Sequence, residues 1–203
     1  MNILDSHTHD SQATDAVICL DDLNAPLLPG KAYSAGIHPW NTADTDPTAL
    51  LHRVEEMSNN PSVVAIGETG IDKLRGASIA VQADIFGQHI AIAEAAGKPL
   101  IIHNVRATQE IIAVWKATAP HHVAAVIHGF RGNANVAAML LNQGFYLSYG
   151  PHFNTDALAV TPSDRILVET DDSGISINAI LAATGIDENI IRQNTSRFFG
   201  TNP

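Results

Sequence analysis

Short apolar runs, each closed by a polar residue, recur along the chain. Ala16-Val17-Ile18-Cys19-Leu20, Val63-Val64-Ala65-Ile66 and Leu100-Ile101-Ile102 are the clearest. Continuous rather than alternating runs fit strands of a parallel sheet covered on both faces. They predict eight strands, over residues 3–7, 16–20, 32–37, 63–67, 100–103, 123–128, 145–149 and 165–170. Helical patterns fall between the later strands. Asp46-Pro47 supplies an N-cap and a first-turn proline ahead of Leu50, Leu51 and Val54. Ile79, Ala83, Phe86, Ile90 and Ala93 repeat at helical spacing until Gly97 and Pro99 stop them. Residues 105–117 predict a helix with Ile111, Ile112 and Trp115 inward, Asn133 caps one ending at Gly144, and Asp187 caps a last one ending at Gly200.

Strands alternating with helices, eight strands in all, predict an α/β fold of the (β/α)8 barrel type. Such barrels usually need about 250 residues, and this chain has 203. The shortage sits before Gly36, where no helical pattern separates the first three strands. The expectation is a trimmed barrel, one domain over residues 1–203, lacking its first two outer helices. Leu27, Leu28 and Tyr33 are then expected to fold over the flank left bare, giving a monomer, with a dimer as the other way to cover it.

Composition narrows the function. The formal charge is −10, with 11 basic residues, which argues against coating nucleic acid through a broad basic face. Mean hydropathy is +0.05 and no stretch is apolar enough to span a bilayer. No basic-then-apolar leader is visible, and Cys19 is the only cysteine, so the cytoplasm is the expected compartment. Cys19 itself reads as a core residue.

Candidate chemistry gathers at the C-terminal ends of the strands, where parallel barrels place their sites. In His7-Thr8-His9, positions i and i+2 point the same way from strand one. Strand three ends at His38, strand four at Glu68, strand five at His103, strand six at His128 and strand eight at Asp171. His7, His9, His103 and His128 with Glu68 and Asp171 make a metal-ligand set. Imidazole with carboxylate suits Zn, Mn, Ni or Fe, and less selectively Mg. Six ligands are too many for one open catalytic metal, so two divalent ions are expected, bridged by Glu68 or Asp171. His38, Arg131 and Lys73 are candidate substrate contacts, and His152 could face the pocket. His52, His89, His121 and His122 read as surface, and Trp115 as core.

The strings His7-Thr8-His9, Gly36-Ile37-His38-Pro39, Gly67-Glu68-Thr69-Gly70-Ile71-Asp72, Ile102-His103, His128-Gly129-Phe130-Arg131-Gly132 and Glu169-Thr170-Asp171 resemble the TatD family of metal-dependent deoxyribonucleases. So do Gln82 and Phe86 before Ala95-Ala96-Gly97-Lys98-Pro99, Gly144-Phe145-Tyr146-Leu147-Ser148, and Asn194-Thr195-Ser196-Arg197-Phe198-Phe199-Gly200. The resemblance implies a TIM-type barrel of the amidohydrolase superfamily. It implies one metal on His7, His9, Glu68 and Asp171 and another on Glu68, His103 and His128, with Glu68 bridging. It further implies that Asp171 takes a proton from the attacking water, and that DNA phosphodiester bonds are cleaved by a metal-activated hydroxide. The cofactors expected are two Zn, Mn or Mg ions. Two other readings stand beside it: a two-metal amidohydrolase for a small ester, lactone or amide, and a metal-retaining binding protein without catalysis. The chain departs from the family in the short stretch between His9 and Gly36, in Trp40 where a second histidine is common, and in Asp172-Ser173 after Asp171.

Overall fold

A computed structural model describes residues 2–43 and 46–201. Eight parallel strands close into a barrel in chain order: β1 (Asp5–Thr8), β2 (Ala16–Cys19), β3 (Ala32–Ala35), β4 (Val63–Asp72), β5 (Leu100–Val105), β6 (Ala125–Ile127), β7 (Tyr146–Tyr149) and β8 (Ile166–Val168). Around them lie α1 (Pro47–Ser58), α2 (Ile79–Ala96), α3 (Thr108–Thr118), α4 (Ala134–Leu141), α5 (Thr155–Val160), α6 (Ile177–Thr184) and α7 (Glu188–Phe199). Neither the β1–β2 nor the β2–β3 connection contains a helix, so the barrel is trimmed where the hydropathy pattern says it is. The bare flank is covered locally among the described residues. Tyr33 is buried, its hydroxyl accepts from Leu28 N at 2.9 Å, and Leu27 packs against the core, while Leu28 itself stays exposed.

Alternation along the strands divides the core in two. Val17, Ala65, Ile101, Val126 and Leu167 form one cluster with Phe198 and Phe199, and their chain neighbours Ile18, Ile66, Ile102, Ile127 and Val168 form another with Phe86, Ile90, Ile111 and Leu140 of the helices. The first set fills the barrel and the second seals it under the helices.

The helix stops are where the capping residues put them. Asp46, Ser78, Asn133 and Asp187 each accept an amide of the first turn, and Gly97 and Gly200 end α2 and α7 in the left-handed conformation. Two short helices, α5 and α6, were not predicted. Asn154 and Ser176 cap them, accepting from Ala157 N and Ala179 N. The predicted helix at 105–117 starts three residues later. There β5 stays paired with β4 as far as Asp72 opposite Val105. Gly70 permits that extension: at φ 142° it faces His103, and a Cβ there would lie 2.1 Å from the His103 carbonyl oxygen. His89 is a correction to the surface reading. It lies on the α2 face that carries Ile85, Phe86 and Ile90, and is fully buried. Its Nδ1 donates to Ile85 O at 2.8 Å and its Nε2 accepts from Ile37 N at 3.0 Å.

Candidate metal centre

The C-terminal strand ends converge on Glu68, a carboxylate only 3% exposed. Its two oxygens face different partners. Oε2 lies 3.4 Å from His7 Nε2 and 3.6 Å from His9 Nε2. Oε1 lies 2.5 Å from His103 Nδ1, 2.6 Å from His128 Nε2 and 3.2 Å from His38 Nε2. Asp171 closes the first group, with Oδ1 3.8 Å from His7 Nε2 and 3.7 Å from His9 Nε2. The backbone sets that approach: Asp171 N donates to His7 O and His9 N donates to Asp171 O, so the residue is stitched between the two histidines.

Three of the four core imidazoles are backed by a carboxylate on the other ring nitrogen. His9 Nδ1 meets Asp21 at 2.9 Å, His103 Nε2 meets Asp72 at 3.3 Å, and His128 Nδ1 meets Glu169 at 3.3 Å. Such partners fix a ring's orientation and raise its basicity as a ligand. No role follows from the sequence for any of these three acids, although Asp72 and Glu169 fall inside two of the strings that resemble the TatD family. Each lies near a strand end already singled out: Asp21 two residues after Cys19, Asp72 four after Glu68, Glu169 two before Asp171. Gln82 holds the segment carrying Asp72, accepting from Asp72 N and donating to the carbonyls of Asp72, Arg75 and Ala77.

The electrostatics are those of a nest that takes up positive charge. Burial pushes the Glu68 carboxyl up, but the His128, His103 and His38 imidazoles outweigh it and hold the group well below the usual carboxylate range. His128 is held well above the ordinary imidazole value by Glu68 and Glu169, against the opposing effect of burial. The Glu68 hydrogen bond, reinforced by Asp21, raises His9 to about 9. Protons there occupy the place of a cation. His7 supports this most directly: the ring is wholly buried and neither nitrogen has a hydrogen-bond partner. Two unsatisfied ring nitrogens are costly in a protein interior, and a bound cation answers one of them. The donor set therefore fits divalent metal.

The site opens into a cleft of about 1040 Å³ that His38, Trp40, Arg106 and Arg131 line. His38 and Arg131 are where the sequence put them. Lys73 is not: its amide donates to Val105 O as β4 ends, and its ammonium pairs with Glu110 of α3 at 2.6 Å, away from the cleft lining. His152 is exposed and lines a smaller neighbouring pocket with Asp171 and Glu169. His52, His121 and His122 are exposed. Cys19, read as core, lines the cleft.

The profile of the TatD-related DNase family matches residues 25–173. The chain belongs to that family. It is 36% identical over 156 residues to the uncharacterized metal-dependent hydrolase TatD of Mycobacterium tuberculosis, covering 70% of this chain and 58% of that protein. It is 30% identical over 150 residues to the 3′-5′ ssDNA/RNA exonuclease TatD of Erwinia tasmaniensis, covering 68% of this chain and 56% of that protein. The solved TatD homologue YJJV of Escherichia coli shares the fold at a TM-score of 0.69 and 20% identity, over 84% of this chain and 77% of that one. This TatD-family chain spans 56–60% of the length of the first curated relatives it matches. The family match begins after His7 and His9, so their place at the centre rests on the geometry above.

Proposed function

We propose that residues 1–203 form one metal-dependent hydrolase domain that cleaves phosphodiester bonds in DNA, working on single strands from an end. The observation that carries this reading is the division of Glu68: one oxygen to His7 and His9, the other to His103 and His128. A carboxylate so placed spans two cation sites. His7, His9, Glu68 and Asp171 would hold one ion, and Glu68, His103 and His128 the other, each Zn, Mn or Mg. Two such cations, when bound, polarise the phosphoryl group and lower the pKa of a water beside it.

The chain's own groups do the rest. Asp171 is 20% exposed at the floor of the cleft, where its free oxygen can take the proton of an attacking water. Asp21, Asp72 and Glu169 hold three imidazoles in place, so that little reorganisation accompanies the reaction. Arg106 and Arg131 line the mouth and are exposed, suited to positioning a phosphate. His38 reaches Glu68 from the substrate side. The exonuclease name of the Erwinia relative supports the choice of a nucleic acid over a small ester.

The test is a 3′-labelled single-stranded oligonucleotide incubated with metal-stripped protein and then with Mg, Mn or Zn. Cation-dependent release of labelled mononucleotide, absent in Glu68→Gln, is expected. Protein that binds the cations yet leaves the oligonucleotide intact while hydrolysing a lactone or simple ester would replace the reading.

A further inference from the structure

Cys19 is the last residue of β2, and its thiol reaches the centre. One sulfur, one nitrogen each from His7 and His9, and one oxygen from Glu68 all lie within 4.8 Å of one another. Four donors arranged tetrahedrally on one ion at 2.0–2.3 Å stand roughly 3.3–3.7 Å apart. An inward settling of about an ångström would let the four atoms share one ion. The residue is 8% exposed, buried at the end of β2 on the same side of the strand as Val17, and it lines the cleft. His7 is the independent sign that something binds at that spot, since neither of its buried ring nitrogens has a hydrogen-bond partner. A residue that merely filled space at the end of β2 could be Ala or Val, and neither would place a donor atom beside three others.

We infer that Cys19 is a sulfur ligand of the cation held by His7, His9 and Glu68. The inference rests on the metal-centre reading above and adds to it a soft donor. As the sulfur–metal bond forms, the S–H bond breaks and its proton leaves to solvent. Thiolate favours Zn, Co or Fe over Mg, which prefers hard oxygen ligands and keeps its waters. This centre therefore selects a transition metal at its first site, while the His103–His128 site stays less discriminating.

Cobalt reports the bond directly, because a thiolate ligand gives Co(II) a sulfur-to-metal charge-transfer band in the near ultraviolet. The metal-stripped protein is titrated with Co(II), and bound cobalt is counted by elemental analysis. Wild type is expected to show the band at the first equivalent. Cys19→Ser and Cys19→Ala are expected to bind cobalt without it. Zinc affinity should fall at least about tenfold in both variants, since even residues behind a ligand are worth 10–100-fold, while Mg affinity holds. Wild type that binds cobalt with no band overturns the sulfur ligand and leaves the metal centre standing, whatever the variants do. Wild type that binds no cobalt overturns both.

Discussion

Trp40 Nε1 donates to Asp72 Oδ2 at 2.6 Å, and the same oxygen lies 3.3 Å from His103 Nε2. A residue at the rim of the cleft thereby steadies an imidazole at its floor. The Arg75 guanidinium lies 4.3 Å over the exposed indole, a cation–π contact. Trp40→Phe keeps the ring for Arg75 and removes only the N–H. Asp72→Asn removes the charge behind His103. We expect Asp72→Asn to lower the affinity for the second cation by about 10–100-fold and Trp40→Phe to lower it less, in the same direction. Calorimetric zinc titration reads both, and wild-type affinity in both variants would show that Asp72 does not orient His103.

Glu68 and Asp171 should separate when each loses its charge. Glu68→Gln keeps the shape but leaves two cations without a shared anion, so the ion on His103 and His128 is lost first. Asp171→Asn weakens one ligand while the bridge survives. Metal is then largely retained, and turnover falls by about 10²–10⁴-fold, the usual worth of a general base. Paired metal content and turnover are the measurements. Two metals and near-normal hydrolysis in Glu68→Gln would falsify the bridging role.

His89 should make stability depend on pH in a defined direction. Burial lowers its pKa from 6.5 to about 4, with the Ile85 hydrogen bond opposing. A neutral ring is required, because Nε2 accepts from Ile37 N while Nδ1 donates. The unfolded chain binds a proton below about pH 6.5 that the folded chain refuses. Stability is therefore full above that pH and declines as pH falls toward 4, by up to about 3 kcal/mol. His89→Gln can offer an acceptor and a donor but does not titrate. Its deficit relative to wild type, by urea unfolding at pH 7, 5.5 and 4, should shrink across that interval. A constant deficit would mean that the folded chain takes up the His89 proton as readily as the unfolded one.

Gly70→Ala should break the site from a distance. The new methyl meets the His103 carbonyl, and φ 142° is a region side chains rarely adopt. The strain alone costs about 1–3 kcal/mol, and the clash can be relieved only by moving β4 off β5. Glu68 and His103 then lose their mutual distance. Lower Tm together with weaker zinc binding is expected, and a variant that melted lower but bound zinc normally would show the two strands to be independent.

Much of this was legible in the chain because parallel-barrel strands are covered on both faces and so appear as unbroken apolar runs. The residue that ends each run is then a site candidate by position alone, which is how His7, His9, Glu68, His103, His128 and Asp171 could be named. The acids behind the imidazoles were hidden for a physical reason. The bonds from Asp72 to His103 and from Glu169 to His128 join different strands, and no local period records them. Lys73 escaped the reading similarly, since Glu110 approaches it only through the packing of α3. His89 is different: its i+4 spacing from Ile85 was visible, and its polarity masked it. Helix α5, of 6 residues, is too short for a periodic signal to rise above the loops; α6 equals α4 in length, and its cap residues Ser176 and Gly185 were the readable signal.

The barrel closes on a thin seam. β1 meets β8 at Asp5 opposite Val168, Thr8 bridges to Asp171, and Thr195 of α7 reaches back to the Ile3 carbonyl. His7, His9 and Cys19 thus leave the ribosome while most of the barrel is still unmade, and Asp171 follows only after all eight strands. Until then the growing polypeptide carries imidazoles and a thiol without the acid that completes their grouping. The imidazoles and acids of the candidate centre therefore come together only late in synthesis, once β1 and β8 have met.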